Sequence, residues 1–192
     1  MSEPDSMMLE ATRRRLSGKQ ANTVDRLTRA AVQVLAQEGF AGLTIRMVAA
    51  SAGVGTATAY TYFSSKEHLV AEIFWRRLVS SPSPASQNPD PVVRVVTELR
   101  NIALLVADER ELSGAVTSAL LGRDPDVEHL RDRIGSEIRR RIVHALGPEP
   151  DPEVVESLQL LYAGALVRAG MGYASYAEIA DRIEKSALLI LR

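Results

Sequence analysis

Residues 43–69 read LTIRMVAASAGVGTATAYTYFSSKEHL. Thr44 has the hydroxyl of an N-cap, and it precedes a short helix whose inner face is Ile45, Val48 and Ala49. Gly53 breaks that helix. Val54 then restarts an apolar face that runs through Ala59 and Phe63. Two short helices joined by a Gly-containing turn of about three to four residues make a helix-turn-helix. Ser64-x-x-Glu67 has the pattern of a capping box ahead of Leu69, Ile73, Phe74 and Leu78, so a further helix opens there.

The second short helix carries unusual chemistry. At 100° per residue, Ala59 and Phe63 point inward. Ala57 and Thr61 point directly away, Thr58 and Tyr60 lie on the flanks, and Thr56 sits at the helix start. The face is rich in hydroxyls and methyls and poor in charge, which suits the edges of bases in a major groove. Tyr60 and Tyr62 offer hydroxyls to phosphates, although Tyr62 lies nearer the inner face and packing is its alternative role. Lys66 and the amides at the next helix start offer a further phosphate site. Thr44 and Arg46 fall on the backbone and groove edge.

Working outward, Val24, Leu27, Ala31 and Val34/Leu35 recur at three and four residues between Asn22 and Glu38, the stripe of an amphipathic helix. Gly39 closes it. Residues 1–19 are expected to be a disordered arm ending in the basic run RRRLSGK, either a DNA contact or a solubilising tail. Net charge is -1, yet residues 13–66 hold eight Lys/Arg against Asp25 and Glu38 alone, which points to a polyanionic partner at one end. The linker is SSPSPASQNPDP at 80–91. Asp-Pro recurs at 90–91, 124–125 and 151–152, with Asp as N-cap and Pro at the first helical position. The spacing predicts helices over about 91–107, 109–122, 125–146, 152–173 and 176–191. The fold class is all-α, with about nine helices and no competing strand pattern.

At 192 residues, 46% hydrophobic and without cysteine, the chain has an ordinary globular balance. Disulfides, thiolate metal sites and thiol nucleophiles are excluded. No signal peptide or membrane span is evident, and a cytoplasmic protein with no membrane partner is expected. His68, His129 and His144 fall on different helices without a paired metal-ligand spacing. No Gly-rich phosphate loop or nucleophile elbow is present, so no enzyme activity, metal or cofactor is expected.

The ordered string TIRMVAASAGVGTATAYTYFSSKEHLV resembles the DNA-binding signature of the TetR family of transcriptional regulators, over about residues 22–75. Ala57 stands where that family often has Gly, and Ala59 where it has Leu or Ile. The resemblance implies that DNA readers lie on the second helix, with phosphate contacts from the Tyr-x-Tyr element and Lys66. It also implies a division into an arm at 1–19, a DNA-binding domain at 20–66 and a ligand-binding and dimerisation domain at 67–192. A homodimer is implied, pairing the last two helices; Leu158, Tyr162, Ala165, Ala169, Gly172, Ile183, Ala187 and Ile190 are the candidates. A pocket for a small apolar effector is implied as well, with candidate lining from Trp75, Leu99, Ala103, Leu120, Ile138, Tyr162 and Leu166. Two reading helices related by a twofold axis would read a pseudopalindromic duplex. The expected function is a regulator, most simply a repressor released by its ligand. The alternative is an all-helical ligand-binding or interaction protein that no longer reads DNA.

Overall fold

The computed structural model describes residues 18–83 and 88–192; the arginine run at 13–15 and most of the basic arm lie outside them. The described residues form nine α-helices and no strand: α1 Gly18–Gly42, α2 Ile45–Ser51, α3 Thr56–Tyr62, α4 Lys66–Ser80, α5 Pro91–Leu104, α6 Arg110–Leu121, α7 Pro125–Leu146, α8 Pro152–Gly170 and α9 Tyr176–Ile190. The all-α expectation holds. No helix among the described residues is long and apolar enough to cross a membrane.

The local signals set the helix ends. Thr44 accepts from the Met47 amide at 3.2 Å. Asp90, Asp124 and Asp151 each accept from the amide two residues on, at 2.9 Å, and Pro91, Pro125 and Pro152 open their helices. Gly39 takes φ 65, which ends the regular part of α1 before a last short turn. One cap departs from expectation by a residue. Ser65, not Ser64, accepts from the His68 amide at 2.9 Å, and the Ser64 hydroxyl is bonded elsewhere. Helix α8 also stops at Gly170, short of residue 173.

Two compact units result. Among the described residues, the chain up to Val79 packs with Glu109–Arg131, and Ser80–Asp108 packs with Asp132–Arg192. The unit holding α2 and α3 is therefore wider than residues 20–66, because α4 and α6 belong to it. In this first unit, α1 packs on α2 and α6. Its buried face is Val24, Leu27, Ala30, Ala31, Val34 and Leu35. Arg76 on α4 bonds Glu72 at 2.8 Å and Asp25 at 3.1 Å.

In the second unit, α9 packs on α5 and α8. The core there is Val95, Leu99, Ile102, Leu158, Tyr162, Ile179 and Ile183, all buried. A charged cluster is buried beside it. Arg141 donates to Glu98 at 2.9 Å and to Glu137 at 2.8 Å. It also donates to the Ser81 carbonyl at 3.1 Å. Ser83 donates to the second Glu98 oxygen at 2.6 Å. Charges this deep are tolerated only when their lone pairs and protons are satisfied, and these are.

Candidate nucleic-acid interface

Helix α3 is two turns long and cannot stand alone, so its pose is set by what holds its ends and inner face. Ala59, Tyr62 and Phe63 are buried. The turn before it is built by Gly53 at φ 60. There the Gly53 amide donates to Ala50 and the Val54 amide to Ala49, which is the paired bonding of a Schellman end. The guanidinium of Arg26, on α1, donates to the carbonyls of Ala52 and Gly53 at 2.5 and 3.0 Å. A Cβ at position 53 would lie 3.2 Å from that guanidinium. The turn thus has little freedom, and α3 enters it at a fixed angle to α2.

The opposite face is open. Thr56, Ala57, Thr58, Tyr60 and Thr61 are all exposed, with Tyr60 at 49%. Thr61 donates its hydroxyl proton to the Ala57 carbonyl at 3.1 Å, leaving its lone pairs outward. Thr44 and Arg46 are exposed at the start of α2. These seven residues retain the outward positions expected of them.

Two residues do not. Tyr62 is only 7% exposed and serves packing, the alternative role left open for it. The Lys66 ammonium donates to the carbonyls of Phe40 and Ala41 at 2.8 and 3.3 Å and sits 4.7 Å from the Phe40 ring centroid. It caps the carbonyl end of α1, where a cation is favoured, and most of its hydrogen bonding is used there. Lys66→Ala is therefore expected to lower stability by about 1–2 kcal/mol, for loss of charge-assisted bonds at a half-buried site. Thermal melting reads that loss, while the salt dependence of DNA binding stays unchanged. A drop of about one unit in the salt slope would instead make Lys66 a phosphate contact.

Comparison with known proteins fits this geometry. The sequence pattern described as bacterial regulatory proteins, tetR family, matches residues 27–73, from within α1 into α4. An uncharacterised helix-turn-helix transcriptional regulator of Mycobacterium bovis is 45% identical over 192 residues, which is 99% of this chain and 88% of the relative. The chain belongs to the TetR family of transcriptional regulators. The helix-turn-helix-type transcriptional repressor KstR of Rhodococcus jostii is 25% identical over 181 residues, covering 91% of this chain and 85% of that one. Among solved structures, a TetR regulator from Rhodococcus sp. RHA1 superposes with TM-score 0.72 at 21% identity, covering 90% and 97% of the two chains.

The remaining expected residues of this TetR-family chain separate by unit. Trp75 and Leu120 lie in the first, buried and half-buried; Leu99, Ala103, Ile138 and Tyr162 are buried in the second, with Leu166 half-buried there. The expected dimer residues differ in exposure within the single chain. Leu158, Tyr162, Ile183 and Ala187 are buried in the chain's own core, and Ala165 and Ala169 nearly so, whereas Gly172 is exposed and Ile190 half-buried. The exposed apolar stripe of α8 is displaced by two residues. It comprises Leu160 at 65%, Gly164 and half-buried Val167, and continues to Met171 just past the helix end. Leu160 and Gly164 line an open groove of about 540 Å³ between α8 and α9, with Arg168, Arg182 and Lys185 also along it.

Proposed function

We propose that this regulator is a homodimeric repressor that places one α3 per subunit in successive major grooves of a pseudopalindromic operator. A small apolar effector in the second unit releases it. The observation that carries the reading is the outward face of α3. It has five exposed residues of hydroxyl and methyl chemistry on a helix pinned by Ala59, Tyr62, Phe63 and a clamped turn. Methyls of Ala57 and the threonines suit thymine methyls, and the hydroxyls suit base-edge donors and acceptors. Arg46 supplies charge at the backbone.

The repressor sense follows the KstR relative. An apolar effector suits the core chemistry of Leu99, Ala103, Ile138 and Leu166. Tyr162 adds a polar point to it: its hydroxyl is buried without a hydrogen-bond partner among the described residues, and burial pushes its pKa up, so it stays a neutral donor. A buried hydroxyl left unbonded costs about 1–3 kcal/mol, which an effector oxygen would relieve. Release then requires the effector to favour a dimer with the wrong spacing of its two α3 helices, and its influence is limited to that preference.

The test is binding to the duplex flanking the protein's own gene. Affinity should fall steeply with salt, by a slope of about 0.9 per phosphate neutralised. Thr61→Ala and Tyr60→Phe should each lower discrimination among sites by roughly 1–3 kcal/mol wherever a base contact is lost. Weak, salt-independent binding to every upstream sequence would leave the alternative, a helical protein that no longer reads DNA.

A further inference from the structure

The exit of α3 is held from outside the helix-turn-helix. Phe63 closes the helix and is buried. Its ring meets the His68 ring edge-on, with centroids 5.6 Å apart. The next residue, Ser64, donates its hydroxyl to Asp126 Oδ2 at 2.5 Å. The same hydroxyl oxygen lies 3.2 Å from His68 Nδ1, and the Ser64 amide donates to that nitrogen at 3.4 Å. His68 is 1% exposed, and its Nδ1 stands 4.0 Å from Asp126 Oδ2. Serine, histidine and aspartate here do not form a nucleophile triad, because the serine and the carboxylate both lie on the Nδ1 side of the ring; a triad needs them on opposite nitrogens.

Asp126 belongs to the first turn of α7, 62 residues from Ser64 along the chain. The Ser64–Asp126 bond is part-buried, and a charge-assisted bond of this kind is short and directional. Helix α3 has one clamp before it, from Arg26, and this one after it. Base contacts tolerate misplacement of only about half an ångström. A shift at Ser64 would therefore re-aim Thr61 and Tyr60, three and four residues earlier on the same short helix.

We propose that Asp126 is a positioning residue for DNA reading, through which α7 sets the pose of α3. The inference rests on the reading that α3 contacts bases. Helix α7 continues to Leu146, and its later turns, with Arg141, belong to the second unit.

The experiment uses the full-length protein and two probes: the duplex that the wild type selects from a random library, and random duplex of equal length. Asp126→Ala and Ser64→Ala should each lower the ratio of selected to random affinity by about ten- to hundredfold, the size of one charge-assisted bond. Binding to random duplex should hold. The double variant should lose less than the sum of the two single ones, because both remove the shared Ser64–Asp126 bond. Ser64→Thr, which keeps the hydroxyl, should restore the ratio. Should Asp126→Ala fold poorly, Asp126→Asn keeps the shape and a neutral acceptor, and should give a smaller drop in the same ratio. An unchanged ratio overturns the proposal, as does a parallel loss on both probes that tracks thermal stability. If the wild type selects no sequence at all, base reading by α3 falls, and this inference with it.

Discussion

Arg141→Met is expected to destabilise the fold by about 3–5 kcal/mol, the range for removing one partner of a buried pair. The Arg141 side chain is 4% exposed and Glu98 is 0% exposed. Among the described residues, loss of the guanidinium leaves Glu98 with the Ser83 hydroxyl alone, and strips the Ser81 carbonyl of this donor. Glu137 would keep Arg140 at 2.6 Å, so the penalty falls chiefly on Glu98. Urea unfolding at fixed protein concentration reads the change; a loss below about 1 kcal/mol would mean that water reaches the cluster. Replacing both partners, as Glu98→Leu with Arg141→Met, should recover much of it, since what is costly is the uncompensated charge rather than the missing bond. Arg100 offers the contrast. It pairs with Asp181 and Glu184 at 2.7 and 3.0 Å, but those partners are largely open to solvent, so Arg100→Ala should cost under about 1 kcal/mol.

The same cluster gives stability a pH dependence. Burial pushes the Glu137 carboxyl up, but hydrogen bonds from Arg140 and Arg141 and their charges outweigh it and hold the carboxyl below its ordinary value. A depressed folded-state value means that the carboxylate contributes stability above the unfolded glutamate range, near pH 4.3. That contribution is lost progressively as pH falls below it.

The contrast between this cluster and the reading helix shows what a sequence discloses. Thr44, Gly53 and the three Asp-Pro pairs act on groups within a few residues of themselves, so their roles were legible in order along the chain. Arg26 on the turn carbonyls, Lys66 on the end of α1, Ser64 on Asp126 and Arg141 on Glu98 join residues 25 to 62 positions apart. No local pattern announces such a pair, and a lysine beside a reading helix looks the same whether it meets a phosphate or a carbonyl. The capping box of Ser175 and Glu178 opens α9 with both of its bonds present. Helix α8 defeated periodicity for another reason. It is apolar or small on nearly every face, so Leu158/Tyr162/Ala165/Ala169 and Leu160/Gly164/Val167/Met171 are equally good stripes. Burial alone decides which one the chain keeps for itself.

Leu160→Glu is the variant that separates those two stripes in solution. Leu160 is 65% exposed in the single chain, so the charge should leave the fold intact, with circular dichroism and melting of the monomer near those of the parent. In a twofold dimer paired through this face, residue 160 occurs twice. A carboxylate desolvated in that contact, with Arg168, Arg182 and Lys185 along the groove offsetting part of the penalty, at about 2 kcal/mol per copy would raise the dimer dissociation constant roughly a thousandfold. Sedimentation at micromolar protein should then show monomer, and operator affinity should collapse because one α3 offers too few contacts. Gly164 argues for the same face. A glycine inside a helix costs about 1 kcal/mol relative to alanine, yet beyond its chain neighbours and the backbone of its own helix no described atom lies within 4 Å of where its Cβ would be. Its own core does not require the missing side chain, whereas a second helix approaching closely would. Leu158→Ala supplies the opposite result. It opens a cavity in the core and should lower stability by about 2–5 kcal/mol, with the folded fraction still dimeric. A Leu160→Glu protein that remains dimeric would move the interface off this groove.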